Sequence, residues 1–86
     1  MTEQEVLAVL SRILGELLGE EAIVLAMTTT REDVPGWDSF AYINFIVGTE
    51  TEFGVKFKVA EVESFPDVGA IVRAIQAKGP PLRPAP

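Results

Sequence analysis

With neither histidine nor cysteine in the chain, the side chains that most often act as general base, thiolate nucleophile or soft metal ligand are missing. The chemistry that remains gathers on one serine. In Val34-Pro35-Gly36-Trp37-Asp38-Ser39-Phe40, Pro35-Gly36 marks a turn, and Asp38 and Ser39 are residues that start helices. A serine at a helix start sits among amide donors without intrahelical partners, at the positive end of the helix dipole, which suits a phosphate ester on its hydroxyl. The plain alternative is that Asp38 or Ser39 only caps the helix, a role worth about 1 kcal/mol. The two roles are compatible.

The elements that must hold this serine follow from hydrophobic spacing. Val6, Leu7, Leu10, Ile13, Leu14, Leu17 and Leu18 repeat at helical period and predict a first helix over residues 3–18. Thr2 and Glu5 have capping-box spacing, and Gly19 can end the helix in the left-handed conformation. Residues 20–37 lack sustained periodicity and read as a long loop, pinned by Ile23, Val24, Leu25 and Met27 and closed by Trp37, expected to pack the loop end onto the core. A second helix runs to Phe53 and stops at Gly54. Along it, Tyr42, Phe45, Ile46, Thr49 and Phe53 form one apolar stripe and Phe40, Ile43 and Val47 another, and one bundle core cannot hold both.

Val55 to Val59 reads as an extended connector, because no second alternating segment exists to pair with it. A short helical turn over 59–63 follows. Ser64 and Asp67 have the spacing of a capping box for a last helix with Val68, Ile71, Val72 and Ile75 on one face. Gly79-Pro80-Pro81 should end that helix, leaving residues 80–86 as a Pro-rich, disordered tail beside a single domain of residues 1–79. The expected fold class is all-α: a four-helix bundle, three main helices and one short one, with a long loop between helices one and two.

Composition narrows the function. Hydrophobic residues make up 48% of the chain, enough to predict one folded core. The formal charge of −6 disfavours nucleic acid and anionic membrane surfaces and favours basic partners. The N-terminus has neither a basic signal region nor a continuous apolar run, so no membrane span is expected and a cytoplasmic location is. A carboxylate-bridged metal site in a bundle would need Glu-x-x-His pairs, which the absence of histidine rules out.

The segment Trp37-Asp38-Ser39-Phe40 resembles the Asp-Ser-Leu attachment motif of acyl and peptidyl carrier proteins, with Phe40 in place of the usual leucine. Glu50-Thr51-Glu52-Phe53-Gly54-Val55 is similar to the Glu-rich, Phe-Gly-Ile end of that family's second helix. The likeness extends to Ile75 and draws its specificity from motif, spacing, helix order and acidity together.

The resemblance implies a stand-alone, monomeric, non-enzymatic acyl carrier. Ser39 would carry 4'-phosphopantetheine, moved from coenzyme A by a phosphopantetheinyl transferase, with Asp38 helping to place that enzyme's metal ion. The arm would hold an acyl thioester cargo and present it to an acyl-activating ligase or synthase of fatty-acid, polyketide or other specialised biosynthesis. The Pro-Gly-Trp-Asp-Ser wording is closer to carriers of specialised pathways. Aligned family positions imply that the Tyr42 stripe of helix two is buried and that the other is partly exposed near Ser39, giving a docking surface through Phe40, Ile43, Val47 and Glu50, with Glu61 beyond it. Ala41 and Asn44 stand where the family usually places acidic partner-facing groups, so docking is expected to lean on apolar contact. Gly48 and Thr49 suggest an altered internal acyl pocket. The competing reading is a carrier-like interaction module that is never loaded.

Overall fold

The computed structural model describes residues 2–78; the expected stop at Gly79 and the disordered tail over 80–86 lie outside the described residues. Four α-helices and no strand occur among them: α1 (Glu3–Leu18), α2 (Ser39–Phe53), α3 (Val59–Ser64) and α4 (Val68–Lys78). The all-α class and the helix order agree with the sequence reading, down to the bounds of the first helix.

Helix α1 starts where Thr2 Oγ1 accepts from the Glu5 amide at 3.1 Å and Glu5 Oε1 accepts from the Thr2 amide at 2.8 Å. Two amides that the helix itself cannot satisfy are thereby paired. Val6, Leu7, Leu10, Ile13 and Leu14 are buried, and α1 packs on both α2 and α4. The face Val68, Ile71, Val72 and Ile75 closes the core from α4. Gly48 sits at the α1–α2 contact, where an added Cβ would lie 3.3 Å from Ile13 Cγ2. It serves close helix packing.

The long loop is held at both ends and contains one turn that its lack of periodicity concealed, a 3₁₀ turn over Arg31–Asp33. Asp33 Oδ2 accepts from the Thr30 amide at 2.9 Å, closing that turn. Leu25 is buried, and its amide donates to Ser11 Oγ of α1 at 2.9 Å. Val24 departs from the expectation that it would help pin the loop: it is 85% exposed. Farther along, the Gly69 amide donates to Met27 O at 2.7 Å and the Val68 amide to Thr29 O at 2.8 Å. The loop therefore supplies carbonyls to the first turn of α4, whose amides lack acceptors within the helix. This approach needs glycine at 69, since a Cβ there would meet Met27 O at 2.6 Å.

The start of α4 differs in one respect from the expected Ser64–Asp67 box. Ser64 is the last residue of α3, and its hydroxyl donates to Glu61 O at 3.1 Å. Asp67 caps α4 alone, Oδ1 accepting from the Ala70 amide at 2.9 Å. Ser64 is drawn into α3 because the short helix runs one residue beyond the expected 59–63. With no buried residue of its own, α3 depends on lateral ties. Tyr42 Oη donates to Val62 O at 2.6 Å, Glu50 Oε2 accepts from the Phe57 amide at 2.8 Å, and Phe57 meets Phe65 edge-on at 5.5 Å.

Candidate functional site

The approach to α2 is a tight turn in which the Trp37 amide donates to Val34 O at 3.2 Å. Pro35 and Gly36 occupy its centre, and Gly36 has φ 88°, the left-handed value that this kind of turn demands of its third residue. The turn drives Trp37 inward, to 4% exposure. Its indole meets Phe45 edge-on at 5.1 Å and lies tilted against Tyr42 at 6.2 Å. With Trp37 locked down, the next two residues emerge at the surface.

Asp38 has extended backbone, and its Oδ1 accepts from the Ala41 amide at 2.9 Å, so it is the N-cap of α2. Ser39 is the first helical residue and is exposed. Division of labour between the two is the central feature of the site. The carboxylate satisfies the helix start, which leaves the serine hydroxyl outside the capping bond, beside the positive end of the helix. Capping, considered from sequence for either residue, belongs to Asp38.

Both stripes of α2 are where the family resemblance places them. Tyr42, Phe45, Ile46, Thr49 and Phe53 are buried. Phe40 is 78% exposed and Ile43 and Val47 are each 53% exposed, an apolar strip that runs away from Ser39. Ala41 contradicts the reading that it replaces a partner-facing acid, because it is 6% exposed and belongs to the core. Only Asn44 of that pair faces solvent, and its side-chain amide donates back to Phe40 O at 3.1 Å.

The two acidic residues expected to face partners have internal work. Glu50 is half-buried and accepts the Phe57 amide. Glu61 Oε1 accepts from the Lys58 amide at 2.8 Å and pairs with Lys78 Nζ at 3.1 Å, tying α3 to the end of α4. The Lys58 amide first, and then Lys78, hold the Glu61 carboxyl below its ordinary 4.5.

Beside Ser39 opens a cleft of about 470 Å³. Ser39 and Ile43 of α2 form one side, Val62 and Glu63 of α3 the other, and Trp37 and Ile71 contribute from the core. Arg31 of the 3₁₀ turn reaches over the Tyr42 ring, 5.0 Å from its centroid. Burial raises the Tyr42 phenol above its ordinary 10.0, and the nearby Arg31 charge opposes that rise. Sequence reasoning missed Arg31 and Glu63 as cleft residues. The Thr30–Asp33 spacing was the one available sign that the loop folds back here. Among the described residues no cluster of carboxylates is arranged to hold a metal ion, and no helix is long and apolar enough to cross a membrane.

No family profile matches the chain. Over 77 residues it is 30% identical to an acyl carrier protein of Thermotoga maritima, an alignment that covers 90% of this chain and 95% of that protein. Its fold is similar to the solution structure of holo acyl carrier protein from Geobacter metallireducens, with a TM-score of 0.77 and 29% identity. That superposition covers 85% of this chain and 84% of the other.

Proposed function

The chain belongs to the acyl carrier protein family, and we propose that Ser39 is its attachment point for 4'-phosphopantetheine. The observation that carries this reading is an exposed serine hydroxyl at the first position of α2, beside a neighbour that has already taken over the cap. The residues present suit the group. A phosphodiester on Ser39 Oγ would lie at the positive end of α2, near first-turn amides without intrahelical acceptors. An arm leaving that oxygen starts at the rim of the cleft, which Ser39 itself lines.

When bound, the group supplies a terminal thiol on which an acyl cargo is held as a thioester. The chain supplies position. Attachment consumes coenzyme A: Ser39 Oγ bonds to the phosphorus that bears the pantetheine, loses its proton and displaces the adenosine bisphosphate. A phosphopantetheinyl transferase carries out that step, with Asp38 beside the reacting hydroxyl to help place the transferase's metal ion. The chain itself is a non-enzymatic, monomeric, cytoplasmic carrier.

The docking surface for the transferase and for an acyl-activating ligase or synthase is the strip Phe40, Ile43 and Val47, contiguous with Ser39. Removal of such side chains from water on docking is favourable at about 25 cal/mol per Å². The strip supports an apolar interface more directly than do Glu50 and Glu61, whose carboxylates serve the fold. The cargo belongs to fatty-acid, polyketide or another specialised biosynthesis.

Intact mass after incubation with coenzyme A and a transferase tests the reading. Wild type should gain one phosphopantetheine and Ser39→Ala none. Loading that persists in Ser39→Ala would place the arm elsewhere, and a wild-type protein that never loads would leave an interaction module.

A further inference from the structure

Arg31 makes no ion pair among the described residues, although Glu32, Glu63 and Asp67 line the same cleft. Its guanidinium lies instead over the Tyr42 ring, 5.0 Å from the centroid. Carboxylates that could have taken it are turned to backbone amides, Asp33 Oδ2 to that of Thr30 and Asp67 Oδ1 to that of Ala70. The main chain beneath is fixed, because Arg31 O accepts from the Val34 amide at 3.2 Å within the 3₁₀ turn. An aromatic face attracts the guanidinium charge but cannot satisfy all its N–H donors, which remain for an anion. The arginine is thus held at the cleft with its hydrogen-bonding capacity unspent.

We infer that Arg31 holds the base of the arm: its guanidinium pairs with a non-bridging oxygen of the phosphodiester on Ser39 and ties that phosphate to the 3₁₀ turn. The inference rests on the carrier reading of Ser39. Reach supports it. Ser39 and Tyr42 stand three positions apart on α2 and so share a face. Side chains of a helix lean toward its N-terminus, so the Tyr42 ring covers the first turn, where Ser39 stands, and a guanidinium over that ring lies beside the phosphate position. Charge supports it as well. A phosphodiester brings a further negative charge to a cleft that Glu32, Glu63 and Asp67 already line, and Arg31 is the sole cation lining it among the described residues. Without Arg31 those carboxylates would repel the base of the arm. A carboxylate from a partner enzyme is the weaker occupant, since it would have to pass exposed Glu32 and Glu63, whereas the phosphate on Ser39 meets Arg31 within one molecule. Loading then joins the long loop to α2 through the arm itself.

The loaded protein contains a single phosphorus, so its ³¹P resonance reports on the base of the arm alone. Wild type, Arg31→Gln and Arg73→Gln are compared before and after loading with coenzyme A and a transferase; Arg73 is exposed on α4, and its variant makes the same change of net charge. The Arg31 Nε–H resonance is identified by its absence from Arg31→Gln. On loading of wild type it should move downfield, with exchange slowed about two- to fivefold, the span that an exposed charge pair supports. The phosphorus of loaded Arg31→Gln should sit where it does in the loaded, urea-unfolded chain, apart from its wild-type position, and that of Arg73→Gln should match wild type. Raising sodium chloride from about 20 mM to about 1 M should carry wild type toward Arg31→Gln, because the pair is screened. An Nε–H indifferent to loading, a phosphorus alike in wild type and Arg31→Gln, or one moved equally by Arg73→Gln would overturn the assignment. So would an Arg31 that responds only when a partner enzyme is added, which would give it to a carboxylate of that partner. If intact mass shows no arm on Ser39, this inference and the carrier reading fall together; a loaded protein with an indifferent Arg31 sinks this one alone.

Discussion

Replacing Tyr42 by phenylalanine removes one oxygen and, with it, the bond from Tyr42 Oη to Val62 O at 2.6 Å. Val62 lies in α3, which has no buried residue of its own and forms one side of the cleft. A hydrogen bond of this kind contributes about 0.5–1.5 kcal/mol net, and a partly buried carbonyl left without its donor raises the loss to about 1–2 kcal/mol. For a domain of this size that corresponds to a fall in Tm of roughly 5–15 °C. Thermal unfolding followed by far-ultraviolet circular dichroism measures it, and amide exchange should show residues 59–64 opening first.

The same residue offers an alkaline test. Burial favours the neutral phenol, so the folded protein keeps this proton above the ordinary 10.0 while the unfolded chain releases it there. Tyr42 therefore contributes stability that is complete below 10.0 and declines as pH rises through the folded value. Tyr42 is the sole tyrosine, which makes phenolate absorbance a direct readout. A midpoint at or below 10.0, or a Tyr42→Phe variant with Tm within about 2 °C of wild type, would refute the claim that this phenol is buried and bonded to α3.

Other expectations concern single residues. Asp38→Ala should cost about 1 kcal/mol through loss of the cap on Ala41, while Ser39→Ala should leave denaturant midpoints almost unchanged. Gly69→Ala should destabilise by more than about 1 kcal/mol and raise exchange at the Val68 and Gly69 positions, because a methyl group there displaces Met27 O. For Glu61 the sign is that of a lowered carboxylate: its stabilising effect holds above 4.5 and disappears as pH falls through the folded value, so Tm curves of wild type and Glu61→Gln should converge in acid. In calorimetric titrations against a cognate synthase, Ile43→Ala or Val47→Ala should weaken binding by about 1–3 kcal/mol, and neutralising exposed Glu52 by less than about 1. A steep salt dependence with both alanine variants silent would refute an apolar docking strip.

What the sequence disclosed and what it withheld follow from the range of the forces involved. The Thr2–Glu5 box, the two stripes of α2 and the helix start at residues 38 and 39 are local patterns, each readable within a few residues, although which of Asp38 and Ser39 caps was settled only by the fold. Ala41 was misread because family position took precedence over its place beside Tyr42 and Phe45 in the core. Gly69 left little trace, since its meaning lies in the Met27 carbonyl brought from a distant part of the chain; the 3₁₀ turn, whose bonds are local, is too short to raise a periodicity. Glu50 and Glu61 looked free because their partners, the Phe57 and Lys58 amides of the connector and Lys78 of α4, come together only once α3 and α4 are folded against α2. The indole N–H of Trp37, buried with no acceptor among the described residues, is a fact of packing, invisible until Phe45 and Tyr42 are placed around it.

The anchorage of the long loop on α4 has a consequence for how this chain can evolve. Met27 and Thr29 hold their places through main-chain oxygens, which every amino acid possesses. The stretch that carries Arg31 to the cleft can therefore drift in sequence, and with it the chemical character of one cleft wall, while the docking of that stretch is inherited intact. Constraint is displaced onto the receiving side, where the missing side chain of Gly69 matters more than the identity of Met27, the loop residue it meets. A lineage could remake that wall of the cleft by rewriting the loop, provided that one glycine stays bare.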